Sequence, residues 1–160
     1  MSFQGVDPVA FESVSQTTLT NTVDLGTRRW VDGEEYVYLY NAGGASITAT
    51  YGCCKSAITG PYSVTVSSVT TPEGQPLFAV VKHSTVPTAA YFWGLVKGQS
   101  QVENGATLSL VTDQVMYLAA SGMFVHHTIS TDAYRWEAGI VRGAGTIAGG
   151  SCTAFIKAIG

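Results

Sequence analysis

Three cysteines and three histidines are the residues of this chain that could support nucleophilic or metal chemistry. Cys53 and Cys54 are neighbours, Cys152 stands alone, and the histidines are His83 and the adjacent pair His126-His127. An odd number of cysteines, two of them able to bridge only through a strained vicinal ring, indicates no disulfide framework. Zinc sites usually space their ligands as Cys-x2-Cys or His-x3-His, and neither spacing occurs, so no metal is expected. On a strand, His126 and His127 point to opposite faces and cannot line one pocket without a bulge. A nucleophilic pair can be drawn from Cys152, His126 or His127 and Asp132, but no helix N-terminus is predicted beside Cys152 to lower its pKa. The carboxylates Asp32, Glu34, Glu35, Glu103 and Asp113 fall mostly at predicted turns, where they cap and solvate instead of pairing for glycoside hydrolysis. Gly143-Ala144-Gly145 precedes no helix-forming segment, and no acidic residue lies about 20 positions on, so it is no dinucleotide fingerprint. The expectation is a protein without catalytic residues and without a cofactor.

Composition points away from several partners as well. The chain has 160 residues, enough for one domain with a sizeable core and a short appended arm. Charged residues are 12% of it, about half the roughly 25% usual in soluble proteins, while hydrophobic residues reach 46% and glycines number 18. A net charge of −3 with no basic cluster argues against nucleic acid, whose phosphates demand concentrated Lys and Arg. No apolar run approaches the roughly 20 residues that span a bilayer. The N-terminus MSFQGVDPVA lacks a basic n-region and an apolar h-region. Neither membrane nor secretion is expected, and the chain starts out in the cytoplasm.

The elements that would position a site are strands. Leu25 to Ile47 reads LGTRRWVDGEEYVYLYNAGGASI, and Asp32-Gly33 is the dipeptide favoured in a two-residue type I′ turn, where both central residues need φ > 0. The strand after it alternates Glu35, Val37 and Leu39 with Tyr36, Tyr38 and Tyr40. Tyrosine buries a large area at an interface while keeping a hydroxyl for a rim hydrogen bond, so the ladder suits either a protein partner or a second sheet of the same domain. Arg28-Arg29 is the only adjacent basic pair and reads as a charged edge that discourages stray pairing.

Residues 1–24 are polar around Pro8, with Phe3, Val6, Val9, Phe11, Val14 and Leu19 as scattered apolar anchors, and read as an extended arm that orders on a partner. Residues 25–160 read as a single all-β domain, a β-sandwich or a partly open barrel, because short strand-like runs are separated by turn signals every ten or so residues. Strands are expected near Ile47–Tyr51, Tyr62–Val69, Leu77–Val81, Tyr91–Lys97, Ala106–Val111, Val115–Ala119, Met123–Ile129 and Ala154–Ile159. Thr70–Pro76 reads as a loop, and Asn104-Gly105 as a second primed turn between Gln101-Val102 and the strand from Ala106. The Gly- and Ala-rich residues 137–151 read as a flexible loop or a small-residue packing strip. No internal repeat is present.

From Leu25 onward the chain resembles the capsid decoration, or cement, proteins of tailed bacteriophages. Three stretches carry the resemblance: LGTRRWVDGEEYVYLYNAGGASI, then FAVVKHSTVPTAAYFWGLVKGQSQVENGATL from Phe78 to Leu108, and the Gly/Ala segment before a final short strand, Gly139 to Ile159. Tyr91-Phe92-Trp93-Gly94, where the family often has Gly before the aromatic Trp, and the double Cys53-Cys54 depart from its pattern. The resemblance implies a homotrimer on the outer surface of the virion capsid, bound at threefold or quasi-threefold positions of the major capsid protein lattice. It further implies that Tyr36, Tyr38, Tyr40, Tyr91, Phe92 and Trp93 contribute core and intersubunit aromatics. Phe3 and Phe11 would then belong to an arm lying along the capsid. A receptor- or carbohydrate-binding β-module, using exposed Tyr and Trp to stack on sugars, is the alternative. A tail-tube or head-completion subunit and a small Cys–His hydrolase rank behind it.

Overall fold

The computed structural model of the chain describes residues 13–15, 17–21, 23–56, 60–66, 76–105, 110–126, 137–143 and 150–158. Among these the strands are β1 (Thr17–Thr18), β2 (Arg28–Val31), β3 (Glu34–Asn41), β4 (Gly52–Lys55), β5 (Ser63–Val66), β6 (Ala79–Val80), β7 (Tyr91–Glu103), β8 (Val115–Leu118), β9 (Phe124–His126), β10 (Glu137–Gly143) and β11 (Ser151–Lys157). The all-β class holds: these strands join one mixed sheet in the order β2-β3-β5-β4-β6-β7-β11-β10-β8-β9, and β1 pairs with β7. One 3-10 turn, Ala120–Gly122, interrupts them. Among the described residues no helix is long and apolar enough to cross a membrane.

The hairpin forms as its turn chemistry dictates. Val31 pairs with Glu34, leaving Asp32 and Gly33 as the two-residue loop, at φ 51° and 82°. Both values are positive, which the primed turn requires and which Gly and Asp tolerate better than a bulky residue. β2 then ends the sheet order, as the charged Arg28-Arg29 pair anticipates.

The pairings also close a ring. β3 lies parallel to β5 and antiparallel to β7, while β5, β4, β6 and β7 pair in succession, so five strands return to their start. Val37, Leu39, Cys53, Val64, Ala79 and Phe92 fill its interior with Ile47 and Val86. The opposite faces of the same strands form a second core. Tyr36, Tyr38, Cys54, Val80, Trp93 and Leu95 meet Leu110, Met116, Phe124, Val141 and Ile156, so β7-β11-β10-β8-β9 wraps the outer wall of the ring. β3 is therefore buried on both faces, and strand alternation sends Val37 and Leu39 to one core and the tyrosines to the other.

β7 runs on to Glu103, past the Lys97 end expected for it. Leu95 pairs with Tyr36 and Lys97 with Glu35, so β7 carries one extra residue at Val96. Gly98 follows at φ 138°, where an added Cβ would stand 2.8 Å from Glu34 Cγ. The bulge swaps the alternation, which lets one strand serve the ring with Tyr91–Val96 and the extension with Gly98–Glu103.

Four further expectations are corrected. Ile47–Tyr51 is no strand: Ile47 makes an isolated bridge to Val86 and β4 begins at Gly52. Asn104-Gly105 is no primed turn, since neither residue is among those with positive φ; instead Asn104 bridges to Phe124, and its amide donates to the Gly150 carbonyl at 2.8 Å. Glu137–Gly143 is β10 and not a loop, held between β11 and β8. The final strand starts at Ser151, three residues earlier than expected. The strand expected from Ala106 to Val111 falls partly, and the Thr70–Pro76 loop mostly, outside the described residues.

Candidate functional site

The three thiols are withdrawn from solvent. Cys53, Cys54 and Cys152 are free and buried. The first two face different cores, as neighbours on one strand must, and their thiols donate to the carbonyls of Ala79 and Thr65. Burial pushes all three thiols up, Cys54 to about 11, and Cys53 higher still, chiefly because its burial is complete, with Cys54 adding to the effect. His126 is half-buried on β9, and His127 and Asp132 lie outside the described residues. Among the described residues no three His, Cys, Asp or Glu side chains gather as a metal cluster would require.

The aromatic residues expected at an interface divide by burial. Tyr36 and Tyr38 are 1% exposed, Phe92 2% and Trp93 4%, so these four are covered within the protomer. Tyr38 packs on Tyr91 and tilts against Trp93 with centroids 5.1 Å apart, and Arg29 lies 5.9 Å over the Trp93 ring. Tyr40 and Tyr91, 4.9 Å apart, are half-buried. Each buried tyrosine removes about 150–250 Å² from water, so this ladder stabilises the fold and leaves only its outer end, Tyr40 with Tyr91, for contact with another molecule. Phe3 and Phe11 lie outside the described residues.

A polar network closes the rim of the second core. The Tyr36 hydroxyl donates to Glu34 Oε2 at 2.7 Å, and Lys82 Nζ donates to both Glu34 oxygens at 2.6 and 2.5 Å. With the phenolic proton engaged on Glu34, His83 Nε2, 3.3 Å from the phenolic oxygen, is the donor to it. Burial alone would raise the Glu34 pKa, but the hydrogen bonds from Lys82 and Tyr36 and the charge of Lys82 outweigh it and hold the carboxyl below its usual range. Tyr36 is pushed far up by burial and by Glu34. His83 is pushed down by burial and by Lys82, against the opposing pull of Glu34. The same corner receives the N-terminal segment. Ser84 Oγ donates to the Ser15 carbonyl at 3.1 Å, Val14 packs on the second core, and β1 pairs with Tyr91 and Phe92.

The outward face of the extension has a different character. Trp30, Glu35, Lys97 and Lys157 follow one another across β2, β3, β7 and β11, each opposite the next. Glu35 is taken by Arg28 at 2.5 Å, while Lys97 Nζ sits 5.9 Å over the Trp30 ring. In the neighbouring row Gln99, Phe155, Ile140 and Val115 succeed one another across β7, β11, β10 and β8. Trp30 is 60% exposed, Phe155 40% and Val115 36%. Sequence reasoning passed over these residues because Trp30 and Phe155 stand in separate short runs, 125 positions apart in a chain where only the sheet register joins them.

The arrangement defines a class by its fold: a small all-β unit in which a five-strand ring is wrapped by the rest of its own sheet. No family model matches the chain, and neither does any curated protein. A solved structure does: the head fiber gp8.5 N base of bacteriophage phi29 has a similar fold at a TM-score of 0.52 and 14% identity, covering 76% of this chain and 94% of that one. At that identity the likeness concerns the fold.

Proposed function

We propose that the chain is a structural protein of a bacteriophage virion, a decoration or cement protein. On this reading it binds the outside of a tailed-phage head and stabilises the major capsid protein lattice as a homotrimer, with no enzymatic role. The observation that carries the reading is the fold shared with a phage head fiber base over nearly the whole length of that base. The low charge of the chain and its buried thiols agree with an assembly role. A threefold cap touches several capsid subunits at once, so modest contacts combine by avidity and hold the lattice against the pressure of packaged DNA.

Native mass across a dilution series, followed by titration onto heads lacking the protein, tests this reading. The expected result is a trimer that saturates at a fixed number of copies per head and raises the temperature at which heads rupture. A monomer that binds no head refutes it. The exposed Trp30 favours one competitor, a carbohydrate-binding module, and binding on a glycan array that disappears in W30A would replace the present reading.

A further inference from the structure

We propose that the outward face of β7-β11-β10-β8 is the surface that docks on the phage head, and that it receives an acidic patch with an aliphatic rim on the major capsid protein. This rests on the head-attachment reading and assigns it to particular residues.

The charge pattern of the face carries the argument. Lys97 and Lys157 are direct cross-strand partners, both exposed, and neither makes an ion pair among the described residues. Like charges directly opposite on one sheet face repel. The nearest carboxylate in their row, Glu35, is engaged by Arg28, and the Trp30 ring draws Lys97 without neutralising it. Among the described residues, two ammonium groups without an ion-pair partner therefore stand side by side, on a chain whose net charge is −3. A partner carboxylate placed between them relieves a repulsion that exists only in the unbound state, so the electrostatic gain appears on docking. The rest of a net-negative chain repels the same acidic partner, which favours one orientation over others.

The apolar part supplies contact area next to that charge. Phe155, Ile140 and Val115 form a continuous cross-strand row, and Val111, 51% exposed, belongs to the turn that leads into β8. Gln99, Gln101 and Thr153 flank the row without charge, and Gln101 Nε2 already donates to Thr153 Oγ1 at 2.9 Å. An exposed aromatic ring on a rigid sheet offers contact area with uncharged polar groups around it to exclude water, while the lysine pair beside it sets orientation and on-rate.

The test uses the full chain and heads of its source phage made without it, measuring bound copies by sedimentation at low and high salt. Three variants are compared: K97E/K157E, F155S, and K55E as a charge-reversal control on an exposed lysine of β4, outside the face. Unchanged native mass and circular dichroism confirm that each is folded. K97E/K157E and F155S are expected to weaken binding about tenfold or more, with the double variant also losing much of the salt dependence, and K55E to stay within about twofold. Wild-type-like binding by K97E/K157E and F155S overturns the assignment of the face while leaving head attachment intact. Break-up of the trimer by these variants also overturns it, because the occupant is then a second copy of the chain. Failure of the wild-type protein to bind heads defeats the head-attachment reading, and the present proposal with it.

Discussion

Replacing Tyr36 by Phe removes one phenolic hydroxyl from the network at the rim of the second core. The ring stays in place, 1% exposed and stacked on His83 at 6.1 Å, so packing changes little. What is lost is the donation to Glu34 Oε2 at 2.7 Å and, at 3.3 Å, the longer contact with His83 Nε2. A hydrogen bond to a charged acceptor contributes about 1.5–3 kcal/mol. Here the Glu34 side chain is 17% exposed and keeps Lys82, so water and the ammonium replace part of it and the expected loss is about 1–2 kcal/mol. The pH dependence follows from the lowered pKa of Glu34. A carboxyl with a depressed folded-state pKa contributes stability in full above its unfolded value, about 4.3, and loses it as pH falls through the folded value. The gap between wild type and Y36F should therefore be complete near pH 7 and smaller at an acid pH below the folded value of Glu34, where a neutral carboxyl accepts a weaker bond. His83 loses the phenolic oxygen 3.3 Å from its Nε2, but it is exposed, so water takes the place of that contact. Urea unfolding at both pH values measures the gap. Equal stabilities near neutrality, or an equal gap at both pH values, would show that the Tyr36–Glu34 contact does not act as an ionic hydrogen bond.

Three further perturbations probe the packing. Gly94→Ala puts a Cβ 2.7 Å from both Ala79 Cβ and Leu39 Cδ1 inside the ring, and overpacking of this kind should lower stability by about 1–3 kcal/mol in chemical denaturation; an unchanged midpoint would mean the ring has slack. Gly139→Ala is expected to be worse, by about 3 kcal/mol or more, because its Cβ would stand 2.1 Å from the Phe155 carbonyl oxygen, and soluble protein of wild-type stability would contradict the β10–β11 register. The three thiols should resist a thiol-reactive dye in native buffer and label fully in denaturant, since each is at most 2% exposed with a raised pKa; rapid native labelling of any one would show that its core opens.

The sequence by itself determined the local features of this protein. Asp32-Gly33 specifies its turn because few other dipeptides accept two positive φ values, and the alternation after it specifies a strand, since period two has no other reading. The odd cysteine count and the strained ring that a Cys53-Cys54 bridge would need indicate no disulfide framework. Only the tertiary structure decided what each face of those strands meets. Tyr36 and Tyr38 read equally well as an interface or as a core, and they became core because the extension returns from Met116, Phe124 and Ile156, far along the chain, to cover them. Glu137–Gly143 looked like a loop because glycine disfavours strands in isolation. Gly139 instead permits the close approach of the Phe155 backbone that builds β10. The outward face, with its lysine pair and apolar row, exists only through the register of four strands, and register depends on contacts between residues that no local pattern of the sequence brings together.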